Sequence, residues 1–441
     1  MKRQHVLCSR RQFLGHTSLA MAAFAVPQLI RAKKTWARPR PDLVDKQSPP
    51  GLEVIQLTSE TGVGSSHLYM EAQIFAPDSK RLVLHRSATA HGSDKSDPKH
   101  QYLLCDLMDN FSLSPLTEEV GATAASVSPD GKYLYYFVNE TQPGGGRLTL
   151  KRVNLDGSDR RTILVVDRPL PGTKFRPSHI YPLSTISSDG QRIALSAFLG
   201  DGHTVGAPYG LMVFDLLAAT VSLAIHGQTW CNMHPQYCRS QQPEASHEVL
   251  IQENHDNTAD AVGTIKRLVG GLGADIHVIR DDGTNFRNMP WGRDGNEACQ
   301  GHQCWRGRTQ WGITSTGTRK PPEAQLIEGL AAPHAGHVGS KTPGGVRNDL
   351  SRSFPNPHFY HFATDINGTR LISDAAKGNV YVGQLGQPGK DPIRNWRYLL
   401  CSRSSLKKEA HVHPFLSPDG TMGFFNSDES GRLQAYMVRG F

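Results

Sequence analysis

The chain has 441 residues, 38% of them hydrophobic, with 43 glycines and 28 prolines. That length buries either two ordinary domains or one large all-β body, and the composition excludes a disordered or fibrous chain. The formal charge of +8 sits at the N-terminus, where residues 1 to 40 hold nine Lys/Arg and no Asp/Glu; the near-neutral remainder gives no electrostatic case for nucleic acid.

In chain order, residues 1–32 come first. "CSRRQFLGHTSLAMAAFAVPQLIRA" has the pair Arg10-Arg11 followed by Gln-Phe-Leu and then an apolar stretch, the pattern of a twin-arginine export leader. It predicts a protein carried to the periplasm or beyond. No later run of 18 apolar residues predicts a membrane span. Residues 33–51, "KKTWARPRPDLVDKQSPP" in large part, are Pro-rich and read as a mobile linker.

From residue 52 to 441 one design recurs. "IFAPDSKRLVLHR" (74–86), "SVSPDGKYLYYFV" (126–138), "TISSDGQRIALSAF" (185–198), "ATDINGTRLISDA" (363–375) and "FLSPDGTMGFFNS" (415–427) each pair a short strand, a D-G-like turn and an alternating strand. Two weaker members fill the gap, with centres near 235 and 302. Seven units of four strands predict an all-β fold, a seven-bladed β-propeller in a single domain. The opening "LEVIQL" is expected to pair with the terminal "LQAYMV" and close the ring. Residues 317–360, rich in Gly, Pro and His, read as an insertion between blades, with His334, His337, His358 and His361 facing solvent. The six cysteines after the leader (Cys105, Cys231, Cys238, Cys299, Cys304, Cys401) allow either disulfides or buried thiols.

Propellers place chemistry at the mouth of the central channel, on the innermost strands. Histidines occupy that position as His302 in "GHQCWRG" and as His411 and His413 in "AHVHPF". Residues i and i+2 of a strand share a face, so His411 and His413 are expected to aim at one place. Histidines from separate blades meeting on one axis suit a divalent metal. His255 ends the apolar strand in "VLIQENHDN", and Arg176 and His179 in "KFRPSHIYP" are candidates to line the channel.

The ordered set "MHPQY", "LIQENHD", "GHQCWRG" and "AHVHPFLSPDG" on hairpin repeats resembles the oligogalacturonate lyases of the β-propeller type, over residues 52 to 441. The resemblance implies a Mn2+-like ion held by three histidines and a glutamine, with a further histidine as base. It matches His302, His411 and His413 to the ligands and His255 to the base. It sets Arg239 against a substrate carboxylate and His234 beside the substrate. The glutamine's position is Lys408 here, which cannot ligate a cation, and the adjacent Glu409 stands as the replacement oxygen ligand. The implied partner is oligogalacturonate or a related acidic oligosaccharide.

That chemistry suits these residue types. β-Elimination removes the proton at C5 of a uronate beside its carboxylate; a Lewis acid on the carboxylate stabilises the resulting charge, and a neutral imidazole accepts the proton. A reading of another class is an exported TolB-like propeller that binds a protein or glycan without catalysis. Lys408 favours it; the ordered histidines favour the lyase.

Overall fold

The repeated turns close in one way. In the second unit the Ser128 hydroxyl bonds Asp130 (2.6 Å) and accepts from the Tyr133 N–H (3.0 Å), while the Gly131 N–H donates to the Ser128 carbonyl (2.8 Å). Ser187-Asp189-Gly190 and Ser417-Asp419-Gly420 repeat the pattern. The glycine is needed because the chain turns through positive φ there, 69° at Gly131 and 71° at Gly420. Each turn therefore fixes the register of the hairpin that follows it.

The computed structural model describes residues 35–95, 97–265, 273–291, 298–317, 325–332 and 345–441, which all lie in one compact unit. The 1–32 leader, His334 and His337 lie outside the described residues. The fold is an all-β seven-bladed propeller. The innermost strands of blades 1 to 7 are Ser65–His67, Ala122–Val127, His179–Ile186, Gln236–Tyr237, Ala298–Trp305, Phe362–Thr364 and Phe415–Leu416. Three further antiparallel strands complete each blade, as in Ala122–Val127, Tyr133–Gln142, Gly145–Asn154 and Arg161–Val166 of blade 2. The apolar core lies mainly between successive blades: Phe137 with Phe214, Tyr237 with Phe198, Trp305 with Ile276, and Phe362 with Ile313 each belong to one such cluster. Among the described residues no helix is long and apolar enough to cross a membrane.

The predicted ring closure is present. Glu53–Gln56 pairs antiparallel with Gln434–Arg439, Val54 opposite Val438 and Ile55 opposite Met437, so the last blade takes its outer strand from the start of the propeller.

Several expectations are corrected. The segment read as a mobile linker is fastened to the last blade: Arg38–Pro39 pairs with Glu53–Gln56, Leu43 is buried, and Arg40 pairs with Glu429. Residues 317–360 are not simply an insertion, because Gln325–Gly329 and Arg347–Asp349 are the outer strands of blade 5. Gly, Pro and His between them concealed two short strands. The weaker units also turn later than expected, at 238–247 and 306–311, since the segments near 235 and 302 are themselves inner strands. The six described cysteines form no disulfide with one another, and five of them are buried.

Candidate metal centre

The channel has two differently furnished ends. At one end Tyr69, Tyr181, His234, His302, Lys408 and His411 are among the residues that line a cavity of about 270 Å3. Residues near the ends of the innermost strands, and their turns, line a second cavity of about 150 Å3 that includes Phe415, Ser128, Ser188, Arg239 and Arg308.

At the first end five imidazoles crowd together. His413 is fully buried and neither ring nitrogen has a hydrogen-bond partner. Its ring centroid lies 4.4 Å from that of His361, 4.7 Å from His91 and 5.5 Å from His411. His302 packs on His361 at 4.4 Å. Nitrogens of His91, His411 and His413 all lie within 4.8 Å of one another, and His91 Nε2 is 3.0 Å from His411 Nδ1. Burying two unsatisfied polar atoms on one ring costs free energy unless a further partner completes the site. A divalent cation would take the lone pair of one of these nitrogens, and the donors of His91, His411 and His413 fit it.

The local chain explains the convergence. His411 and His413 do not lie on a strand: Lys408–Ala410 is a turn of 3-10 helix, His411 follows in extended backbone (φ −63°, ψ 148°), and His413 has φ 45°. The left-handed residue, not strand alternation, brings the two rings to one place, which corrects the sequence-based reason for the pair. Ala298–Trp305 loses register between Cys299 and Gln303, with Gly301 at φ 84°, a bulge that re-aims His302. His361 is steered by Asp374, which accepts its backbone N–H (2.7 Å) and the ring Nδ1–H (3.1 Å), so Nε2 carries the free lone pair. His91 stands at the tip of a short hairpin, Ala88–Thr89 with Gly92–Ser93, that projects from blade 1.

Electrostatics keep these rings neutral. Burial lowers His302, His361 and His413 well below the ordinary histidine range, and the neighbouring imidazoles add to it. Burial, with His411 next to it, pushes His91 down to about 3. Neutral imidazoles are the form a metal requires.

A second arrangement shares the cavity. The Tyr181 hydroxyl donates to His234 Nε2 (2.9 Å), and His234 Nδ1–H donates to Glu71 Oε2 (3.2 Å). His234 is buried and held at φ 49°. Burial, and then the charge of Glu71, raises the Tyr181 phenol well above its usual value.

The remaining predicted residues are distributed elsewhere. Glu409 is exposed on the 3-10 turn and is absent from the group that can hold an ion; only its carbonyl takes part, accepting the Ala90 N–H at 3.0 Å. His255 sits after the second strand of blade 4, with Nε2 2.7 Å from Asp275, and is not among the residues lining the histidine cavity. Arg239 lies at the opposite end, its Nη2 directed at the Glu71 carbonyl (3.5 Å). Arg176 bonds the Asp167 carbonyl, and His179 is exposed at the start of its strand; neither lines the cavity. His234 does. The sequence reading missed His91, His361, Tyr181 and Glu71. His361 obeys the rule that found His302, a histidine shortly before the turn of an inner strand, but was assigned to the insertion. Nothing in "SATAHGS" marks His91.

An oligogalacturonate lyase in complex with manganese superposes with a TM-score of 0.64 at 18% identity, over 93% of this chain and 96% of that one. An oligogalacturonate lyase from Vibrio parahaemolyticus gives 0.66 at 16% identity, over 93% and 98%. At these identities the likeness is one of fold. No protein-family model matches the sequence, and no curated protein matches it either.

Proposed function

We propose that this protein is a metal-dependent lyase that breaks short oligouronates by β-elimination, with oligogalacturonate the simplest substrate. The observation that carries this reading is His413, buried with two unpartnered ring nitrogens among four other imidazoles at the mouth of a propeller channel. The shared fold with two oligogalacturonate lyases supports it.

A divalent ion held by this cluster would supply Lewis acidity to the substrate carboxylate beside C5. The chain's own residues do the rest. Lys408 lines the cavity as an exposed ammonium and attracts an acidic sugar; it serves the substrate, not the metal. His234 has Nδ1–H committed to Glu71, and once the Tyr181 hydroxyl turns from Nε2 toward the leaving oxygen, Nε2 takes the C5 proton. As the C4–O bond breaks and C4=C5 forms, the neighbouring Tyr181 hydroxyl protonates the departing oxygen. The Tyr181–His234 hydrogen bond then returns the proton from His234 to Tyr181, so the residues end as they began. His234 takes the role that the family resemblance gives to His255 because His234 lines the cavity.

The test is appearance of the unsaturated uronate absorbance from oligogalacturonate, with metal supplied or chelated. A folded, metal-loaded protein that is silent on every uronate tried rejects the lyase and leaves a binding propeller. The leader belongs to the same proposal: residues 1–32 export the folded protein, and a mature N-terminus that retains Arg10-Arg11 would count against it.

A further inference from the structure

We infer that His91 is a metal ligand, brought in from blade 1 by its hairpin, and that it makes the centre a carboxylate-free imidazole site selective for a borderline cation such as Co2+, Ni2+ or Zn2+. This rests on the reading of the histidine mouth as a metal centre. It goes beyond that reading in naming the donor and the class of ion.

His91 belongs to a hairpin, Ala88–Thr89 with Gly92–Ser93, that lies between two strands of blade 1 and adds nothing to the blade's own ladder. The hairpin is fastened at both ends. Its base is held where the Ala88 N–H donates to the Gly64 carbonyl (3.3 Å), and its tip where the Ala90 N–H donates to the Glu409 carbonyl (3.0 Å). Ala90 also packs with Ala410 and Leu433. Those contacts tie His91 to the turn that leads into His411 and His413. The result is a ring nitrogen 3.0 Å from His411 Nδ1 and a ring centroid 4.7 Å from His413.

Among the described residues no carboxylate competes for the place. Among the described residues, the group able to hold an ion contains histidine alone. Glu409 is exposed and contributes only its carbonyl to the hairpin, and Lys408 offers an ammonium. Asp374 is engaged with His361, and Glu71 with His234. Hard ions such as Mn2+ favour carboxylate, carbonyl and water oxygens, whereas imidazole suits the later divalent ions. A shell of imidazoles without a carboxylate therefore widens the gap between those ions and Mn2+ beyond what a shell with carboxylates gives.

The test uses the full chain, stripped of metal by chelation, with Mn2+ and Co2+ as probes competed against a chromophoric chelator. His91→Ala is expected to weaken Co2+ at least tenfold and to alter its visible spectrum. His91→Gln, which offers an amide oxygen, is expected to narrow the Co2+/Mn2+ affinity ratio about tenfold. Histidine carbethoxylation of the wild-type protein, read by mass spectrometry, keeps the inference testable if a variant misfolds: Co2+ should protect His91 several-fold. Unchanged Co2+ affinity and spectrum in His91→Ala, an unchanged ratio in His91→Gln, or equal labelling of His91 with and without Co2+ would each overturn the inference. All three would leave the metal centre standing. Failure of the wild-type protein to bind either ion would instead overturn the underlying reading.

Discussion

The two ends of the channel are built from the same seven strands, yet they differ in regularity. At the turn-lined end, Ser-x-Asp-Gly segments repeat one hydrogen-bond pattern from blade to blade, and the side chains there serve the register of the sheet. At the histidine-lined end the devices vary: a bulge aims His302, left-handed residues hold His234 and His413, a carboxylate steers His361, and an added hairpin delivers His91. Repetition marks the scaffold, and departure from it marks the chemistry.

This contrast can be broken most severely at His413. His413→Ala should remove the metal and lower β-elimination about thousandfold or more, since a bound Lewis acid supplies several kcal/mol of transition-state stabilisation. The metal-free fold should lose only the packing of one buried ring, because that ring has no hydrogen bond to forfeit. Elemental analysis with thermal unfolding checks both halves. A variant that keeps its metal would separate His413 from the centre.

Next in size is the proton chain. His234→Ala should lower kcat by about 10² to 10⁴ while metal content stays constant, as steady-state rates and metal analysis would show. His255→Ala, outside the cavity, should lower kcat less than tenfold. If the two variants exchange these outcomes, the base is the residue that the family resemblance names.

Acid should discriminate between the ends through stability. Burial pushes His67, at the histidine end, down to about 3, whereas the unfolded chain titrates near 6.5. Below that value the unfolded state binds a proton that the folded state refuses, so stability falls as pH drops from about 6.5 toward 3. The slope is roughly 1.4 kcal/mol per pH unit for one such group, or about 2 kcal/mol at pH 5. His302, His361 and His413 shift the same way. At the other end, desolvation opposes the ionised Asp130 and Asp419, but bonds from Ser128, Ser417 and backbone N–H groups win and lower both. Their contribution is present above about 4 and is lost only below it. Urea unfolding of chelated protein at pH 7.5, 6 and 5 should show the histidine-end loss, offset in part by Asp374: burial raises its carboxyl to about 7, so it adds stability as pH falls over the same window.

The smallest effect is expected at the turn-lined end. Arg239→Ala should change turnover and metal content by no more than a few-fold, because its guanidinium lines the opposite cavity. A loss comparable to that of His234→Ala would mean that substrate reaches through the channel.

How far the sequence revealed this molecule follows the same division. The hairpin repeat and the Val54–Val438 closure were legible because period-two alternation and D-G turns are local signals. Gln325–Gly329 and Arg347–Asp349 were not, being short strands in a Gly- and Pro-rich stretch. At the site, His302, His411 and His413 could be singled out by their place before a turn. The role of the backbone could not: the φ of 45° at His413, and a hairpin that carries His91 some 320 residues along the chain to His411, depend on tertiary contacts without a sequence signature.

Incubating the chelated protein with oligogalacturonate and adding divalent metal during the assay decides whether the histidine mouth is a catalytic metal centre. Absorbance of the 4,5-unsaturated product is predicted to stay flat, to rise when metal is added, and to stop again with excess chelator. A rise that ignores metal, or a protein that binds metal in the histidine mouth and leaves every oligouronate uncut, would contradict the account.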